Sequence, residues 1–243
     1  MRPQKVYMTT LTSESYIPGV IALKKSLMET KTKHPLVILI PKNEADKFIN
    51  LLKQNNVLDK DCFYLVKPNI NEKYISSLLT NKRHHLYWLK TFFKLAAASC
   101  IEFKKIVLLD SDLYIQNNID SLFDAPHYSS VPSRTNGLLV SGVLVIEPSL
   151  EFYKKLLNCI KPAIAKRKAA GLDAGDQDVF RECYPNWKNK KELLLPETYG
   201  CFINYIGSVC RLFKIKAKDI YVIHFWGKTK PWTRSHFHNT IKI

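Results

Sequence analysis

Short apolar runs alternate along the chain with longer stretches whose apolar positions recur at helical spacing. Lys5 to Leu11 (KVYMTTL) predicts a strand. Tyr16 to Met28 predicts a helix, with Ile17, Val20, Ile21, Ala22, Leu23 and Leu27 as its apolar stripe and Pro18 in its first turn. Leu36 to Ile40 (LVILI) predicts a buried strand, Glu44 to Gln54 an amphipathic helix with Phe48, Leu51 and Leu52 inward, and Cys62 to Val66 a further strand. A longer helix is expected near His84 to Ser99. It is followed by a strand over Ile106 to Asp110, apolar up to its last residue as in the middle of a parallel sheet. This βαβαβ order implies a right-handed, doubly wound α/β sheet, with ligands at the carboxyl ends of the strands. The second half reads differently. Gly137 to Glu147 is strand-like with Gly142 inside it, Leu150 to Ile160 and Asp176 to Cys183 read as helices, and Leu193 to Leu195 and Ile220 to His224 as strands. No repeat, low-complexity tract or linker interrupts the pattern, so residues 1–243 are expected to form one domain.

Length and composition change this picture little. The 243 residues suffice for a buried core, and 46% hydrophobic with 24% charged residues is ordinary for a globular protein. No apolar stretch approaches the roughly 20 residues of a membrane span. The N-terminus has no apolar run of signal-peptide length, so a cytoplasmic location is expected. The six cysteines form no C-x-x-C pair and read as free thiols. The net charge of +16 does matter, because it favours an anionic partner. A nucleic-acid-binding protein is one such reading, but the lysines are spread along the chain and no nucleic-acid motif accompanies them.

Chemistry enters where the strand over Ile106 to Asp110 runs out. Asp110 and Asp112 leave its end separated by Ser111. Turned to the same side, two carboxylates repel unless a cation lies between them, and hard divalent cations prefer such oxygens. Asp-x-Asp by itself also reads as a solvated turn or cap; the apolar strand before it favours the metal. Far down the chain, IYVIHFWGKTKPW ends a strand in His224, followed by Gly227 and Lys230. A histidine added to two carboxylates shifts the preference from Mg²⁺ toward Mn²⁺. Gly227 permits close backbone approach, and Lys230 is a point charge suited to phosphate. Singly, these residues read equally as a core histidine, a turn glycine and a surface lysine. The stretch GLDAGDQDVF gathers Asp173, Asp176 and Gln177, either as an acidic helix cap or as a carboxylate loop beside a reacting centre.

Taken together, these stretches resemble the family of retaining glycosyltransferases that contains glycogenin and galactinol synthase. TLTSESYIPGVIALKKSL resembles its nucleotide-binding opening, and YWLKTFFKLAAASCIEFKKIVLLDSDLYIQNNIDSLFD its central block. VSGVLVIEPS, DAGDQ, LPETYG and HFWGKTKPW follow in family order, so nearly the whole chain is covered. The resemblance implies a GT-A fold, in which a Rossmann-like nucleotide-binding half with a mixed central sheet is merged with an acceptor-binding half. It implies a hexosyltransferase using UDP-glucose or UDP-galactose with Mn²⁺, Mg²⁺ being the alternative ion, and pairing of two copies. The acceptor is left open.

By matching positions the resemblance makes Asp110, Asp112 and His224 metal ligands. It places Leu11, Thr12 and Tyr16 at uracil and ribose, Lys94 and Ser111 at the donor, and Ser141 and Gly142 beside the sugar. Gly227 and Lys230 fall on the diphosphate, and Asp173, Asp176 and Gln177 face sugar or acceptor as catalytic residues. The chain departs from the family where Val140 replaces an asparagine, where DAGDQD replaces DGGDQG, and where glycogenin's self-glucosylated tyrosine falls on Gly207. Self-glycosylation is therefore not implied by position. A catalytically degenerate GT-A binding module is the competing expectation; the retained Asp110, Asp112, His224 and Lys230 weigh against it.

Overall fold

The computed structural model of the chain describes residues 3–79, 89–227 and 230–233. Four parallel strands form the heart of the main sheet: β1 (Lys5–Thr10), β2 (Leu36–Pro41), β3 (Cys62–Lys67) and β4 (Lys105–Leu109). A short strand β5 (Leu113–Ile115) follows β4. The main sheet is then extended by β6 (Ser130–Pro132) and β7 (Leu139–Ile146), giving the order β3-β2-β1-β4-β7-β6. β7 runs antiparallel to both β4 and β6, so the sheet is mixed. Two late strands, β8 (Cys201–Phe202) and β9 (Val222–His224), join β5 in a second sheet ordered β5-β9-β8.

The apolar runs are explained by burial on both faces. In β1, Val6 and Met8 point into one core cluster while Tyr7 points into the other; in β4, Ile106 and Leu108 oppose Val107 and Leu109 in the same way. Helices α1 (Ile17–Glu29) and α2 (Ala45–Gln54) cover the Tyr7 face. The other face is covered by α3 (Glu72–Leu78), a 3₁₀ run over Phe92–Ser99, α4 (Leu150–Ala169) and α5 (Asp176–Cys183). A last helix, α6 (Ile206–Phe213), packs Val209 against the small sheet.

Several elements differ from the sequence expectation. Leu193 to Leu195 is not a strand. Lys191–Leu193 forms a 3₁₀ turn, and beyond it Leu194 makes one isolated bridge to Ser130 before Pro196 intervenes. The expected helix over His84 to Ser99 is α-helical at residues 89–91 and 3₁₀ from Phe92, while 84–88 lie outside the described residues. α4 does not stop before Pro162. The buried series Phe152, Leu156, Ile160 continues through Ala163 and Ile164, and the helix follows it to Ala169. α3 was not expected at all; Asn71 caps it, accepting from the Tyr74 N–H at 3.0 Å. All six cysteines are free. Among the described residues, no helix is long and apolar enough to cross a membrane.

Candidate active site

β4 ends at Leu109, but the Asp110 N–H still donates to the Gly142 carbonyl at 2.9 Å, so the main ladder holds Asp110 in place. Two residues on, the Asp112 carbonyl accepts from the Phe225 N–H at 3.0 Å, next to the register pair Leu113–His224 of the small sheet. The chain thus crosses from one sheet to the other between the two aspartates, and β9 delivers His224 to the same point. His224 Nε2 lies 3.2 Å from Asp112 Oδ1 and 3.7 Å from Asp110 Oδ2. Gly142 makes room for the ring: a β-carbon there would stand 2.8 Å from His224 Cε1 and 2.9 Å from Nδ1.

The two acids are unlike. Asp112 is buried. Burial alone would raise its pKa, but the hydrogen bond and charge of His224 and the Lys230 ammonium hold it down to about 2. Lys230 Nζ pairs with Asp112 Oδ2 and also donates to the Phe225 carbonyl at 3.0 Å. Asp110 is pushed above the usual carboxylate range by lost hydration and by the neighbouring Asp112 charge, against the pull of Lys94 and His224. Its side chain keeps 32% of its surface open. A partly open carboxylate carrying an unfavourable charge beside an ionised one is what a shared cation relieves. The donor set also suits a cation. An octahedral ion with bonds near 2.1 Å places neighbouring ligands about 3.0 Å apart, and the three candidate ligand atoms all lie within 4.8 Å of one another. Two oxygens and an imidazole fit a hard to borderline divalent ion.

Lys94 is buried in the 3₁₀ run and joins this cluster to a second one. Its Nζ donates to Asp110 Oδ1 at 2.5 Å and to the Ser141 carbonyl at 2.5 Å, and stands 3.5 Å from Asp176 Oδ2. Burial disfavours its charge, but Asp110 and Asp176 outweigh that and raise its pKa. Ser141 aims two residues at the start of α5: its hydroxyl donates to Asp176 Oδ2 at 2.8 Å and its N–H to Gln177 Oε1 at 3.2 Å. Thr91 accepts from the Asp176 N–H at 3.2 Å. Asp173 stands apart. Its carbonyl accepts from Arg167 Nε at 3.3 Å, and among the described residues its carboxylate makes no hydrogen bond to the cluster.

On the other side, the end of the described chain closes over its beginning. Trp232 Nε1 donates to the Ser15 carbonyl at 2.9 Å, and its ring meets Tyr16 edge-on at 5.9 Å. Lys230 Nζ lies 5.8 Å from the centre of the Tyr16 ring. Gly19 allows this closure, since a β-carbon there would stand 2.5 Å from the Ser111 carbonyl oxygen and 2.7 Å from the Trp232 ring. Thr12 is partly exposed, whereas Leu11 has no accessible surface and packs in the core. Gly227 adopts φ +99°, a conformation that side chains rarely take.

The structure therefore brings together Asp110, Ser111, Asp112, His224, Lys230, Lys94, Ser141, Gly142, Asp176 and Gln177. Sequence reasoning did not single out Thr91, Gly19, Phe202, whose ring lies against His224, or Trp226, whose ring lies against Phe202. Trp232 was visible within the KPW triplet but carried no assigned role.

The chain has relatives among known proteins. Residues 8–132 match the sequence model of a family described as "Mannosyltransferase putative". The chain is 27% identical to mouse (Mus musculus) glycogenin-1 over 234 residues, covering 96% of this chain and 66% of glycogenin-1. It therefore spans just under two thirds of that relative's length. It is 30% identical to the uncharacterized protein R707 of Acanthamoeba polyphaga mimivirus over 241 residues, covering 90% of this chain and 79% of R707. Among solved structures, the galactosyltransferase LgtC in complex with donor and acceptor sugar analogues superposes with a TM-score of 0.63 at 13% identity, over 95% of this chain and 90% of LgtC. That likeness is one of fold, GT-A.

Proposed function

This chain belongs to the family of that mannosyltransferase model and is a glycogenin-like glycosyltransferase, and from that premise we propose that it transfers a hexose, glucose or galactose, from a UDP-sugar to an acceptor hydroxyl with retention of configuration and with the help of Mn²⁺. The observation that carries the reading is the convergence of Asp110, Asp112 and His224 from two sheets onto one point, with Lys230 and Lys94 beside it. Because that point draws on both sheets, residues 1–243 act as one GT-A domain in this reading.

Held by Asp110, Asp112 and His224, a divalent ion would neutralise charge on the departing diphosphate. Lys230, fixed on Asp112 and the Phe225 carbonyl, adds a preorganised positive charge on that side and so favours the transition state over the bound donor. The bend at Gly227 lets main chain approach the phosphates. Thr12 and Tyr16 line the base and ribose, with Leu11 supporting them from the core. Lys94 pairs with Asp110 and stands beside Asp176, tying the two acids together. The Asp176 carboxyl group faces the positive charge that develops at the anomeric carbon. Ser141 holds Asp176 and Gln177 in fixed orientation, and Gly142 leaves the sugar and the imidazole room. Asp173, outside the cluster, is assigned to the acceptor side.

Titration calorimetry with UDP tests the core of this reading. Mn²⁺ is expected to tighten UDP on the order of 100-fold over a chelator, as several kcal/mol of charge stabilisation implies, and Asp112→Asn to abolish most of the gain. Equal UDP affinity in chelator would end the metal assignment. Following nucleotide release from UDP-glucose, UDP-galactose and GDP-mannose then identifies the donor; the mannose arm answers to the description of the matched family.

A further inference from the structure

On the side of His224 away from β5, strand β8 brings a second set of side chains to the cluster. Phe202 pairs in register with His224 across the β8–β9 ladder, and its ring lies 5.0 Å from the imidazole at 33°. Trp226, just past β9, places its ring 5.6 Å from Phe202 at 55°. Tyr205 meets Phe202 edge-on at 6.2 Å, with the Arg134 guanidinium 5.3 Å from the Tyr205 ring centre. Arg134 is itself fixed by Glu197 at 3.3 Å and by the Ser208 hydroxyl at 2.8 Å. Rings therefore run continuously from a candidate metal ligand out to solvent, ending in a polar rim.

The outer ring is the informative one. Trp226 is 55% exposed. An indole packed against Phe202 with more than half of its surface open has a face left to cover, and covering it would gain the stabilisation that burial of apolar surface brings. The nucleotide does not account for it, because aromatic rings on the donor side are supplied by Tyr16 and Trp232. A lipid tail fits poorly against a rim that carries the Arg134–Glu197 ion pair. A pyranose suits both features, with C–H groups on one face and hydroxyls around its edge.

We propose that Phe202 and Trp226 form the acceptor subsite and that the acceptor is a carbohydrate, whose reacting sugar lies with its C–H face on the Trp226 indole. The proposal rests on the transferase reading above. In the step it serves, the acceptor hydroxyl oxygen bonds to the anomeric carbon while the bond from that carbon to the diphosphate oxygen breaks. UDP departs with the electron pair, and the hydroxyl proton passes to solvent.

The test follows UDP release against increasing maltotriose, lactose, cellobiose, mannobiose and myo-inositol, for the native chain, Trp226→Ala and Trp226→Phe. At least one saccharide should raise UDP release saturably. Trp226→Ala should raise the KM for that saccharide about 3- to 10-fold, the value of one stacked ring, with kcat nearly unchanged. Trp226→Phe should restore most of the loss, and the affinity for UDP with Mn²⁺ should stay within twofold throughout. An unchanged saccharide KM in Trp226→Ala overturns the subsite, as does saturation by myo-inositol alone or by no saccharide, wherever UDP binding is intact. Failure of UDP to bind with Mn²⁺ in the native chain overturns the transferase reading, and the subsite falls with it.

Discussion

A missing β-carbon decides where the imidazole of His224 can lie. Gly142→Ala would place a methyl group 2.8 Å from Cε1, closer than real β-carbons come, so the ring must move off the two aspartates. The expected result is a loss of about tenfold or more in Mn²⁺-dependent UDP affinity, as for other groups that orient a metal ligand, with UDP affinity in chelator unchanged. Calorimetry of the variant with and without Mn²⁺ checks this, and an unchanged metal effect would show that the glycine is incidental. The sequence reveals the charged residues of this cluster but not the glycine's purpose. Asp110 and Asp112 stand out because an apolar strand has no reason of its own to end in paired acids. His224 stands out because it ends another such strand. Gly142 reads as a glycine inside a strand, which the family resemblance places beside the sugar; that it makes room for His224 is not legible, since its partner comes from a distant segment. Phe202 and Trp226 read as ordinary apolar residues, because exposure cannot be inferred from residue type.

At the scale of elements, legibility follows burial. β2 and β4 are closed on both faces and so appear as apolar runs, and α5 appears with the bounds it has, Asp176 to Cys183. Leu193 to Leu195 carries the same signal but finds only one bridge, with Ser130, at the short edge strand β6. Apolar character there reports burial, not pairing. The contact that ties α1 to the small sheet is equally invisible in the sequence. Ser26, buried in the last turn of α1, donates to the Leu23 carbonyl at 3.1 Å and accepts from the Ile115 N–H of β5 at 3.1 Å. Removing the hydroxyl leaves a buried N–H without its partner. Ser26→Ala should therefore cost about 1–3 kcal/mol of stability, read from urea unfolding. It should also loosen the strand that follows Asp112. Unchanged stability would mean that β5 is held by its pairing with β9 alone.

The whole molecule has two poles, at opposite ends of the parallel strands. At the carboxyl ends lies the acid cluster with Lys94 and Lys230, and the chain's net charge of +16 favours an anionic partner. Toward the amino ends, Asp120 ties the layers together. Its Oδ1 accepts from the Tyr7 hydroxyl of β1 at 2.7 Å and from Thr32 Oγ1 at 2.5 Å, and its Oδ2 accepts from the Lys33 N–H at 3.0 Å. Burial pushes its pKa up, but these three donors outweigh burial and hold it below its ordinary value of 3.8. A carboxylate with a depressed folded-state pKa contributes stability that is present above pH 3.8 and lost as the pH falls through the folded value. Asp120→Asn should thus be less stable than the native chain at pH 7, by about 2 kcal/mol for hydrogen bonds to a charged acceptor. The gap should close as the native Asp120 takes up its proton. The general charge repulsion that acid adds to a basic chain affects both proteins alike and cancels in the difference. Urea midpoints of the pair from pH 7 down to pH 2.5 provide the measurement. A gap that stays constant across that range would show that Asp120 acts through shape alone and that its charge does not hold this end of the sheet together.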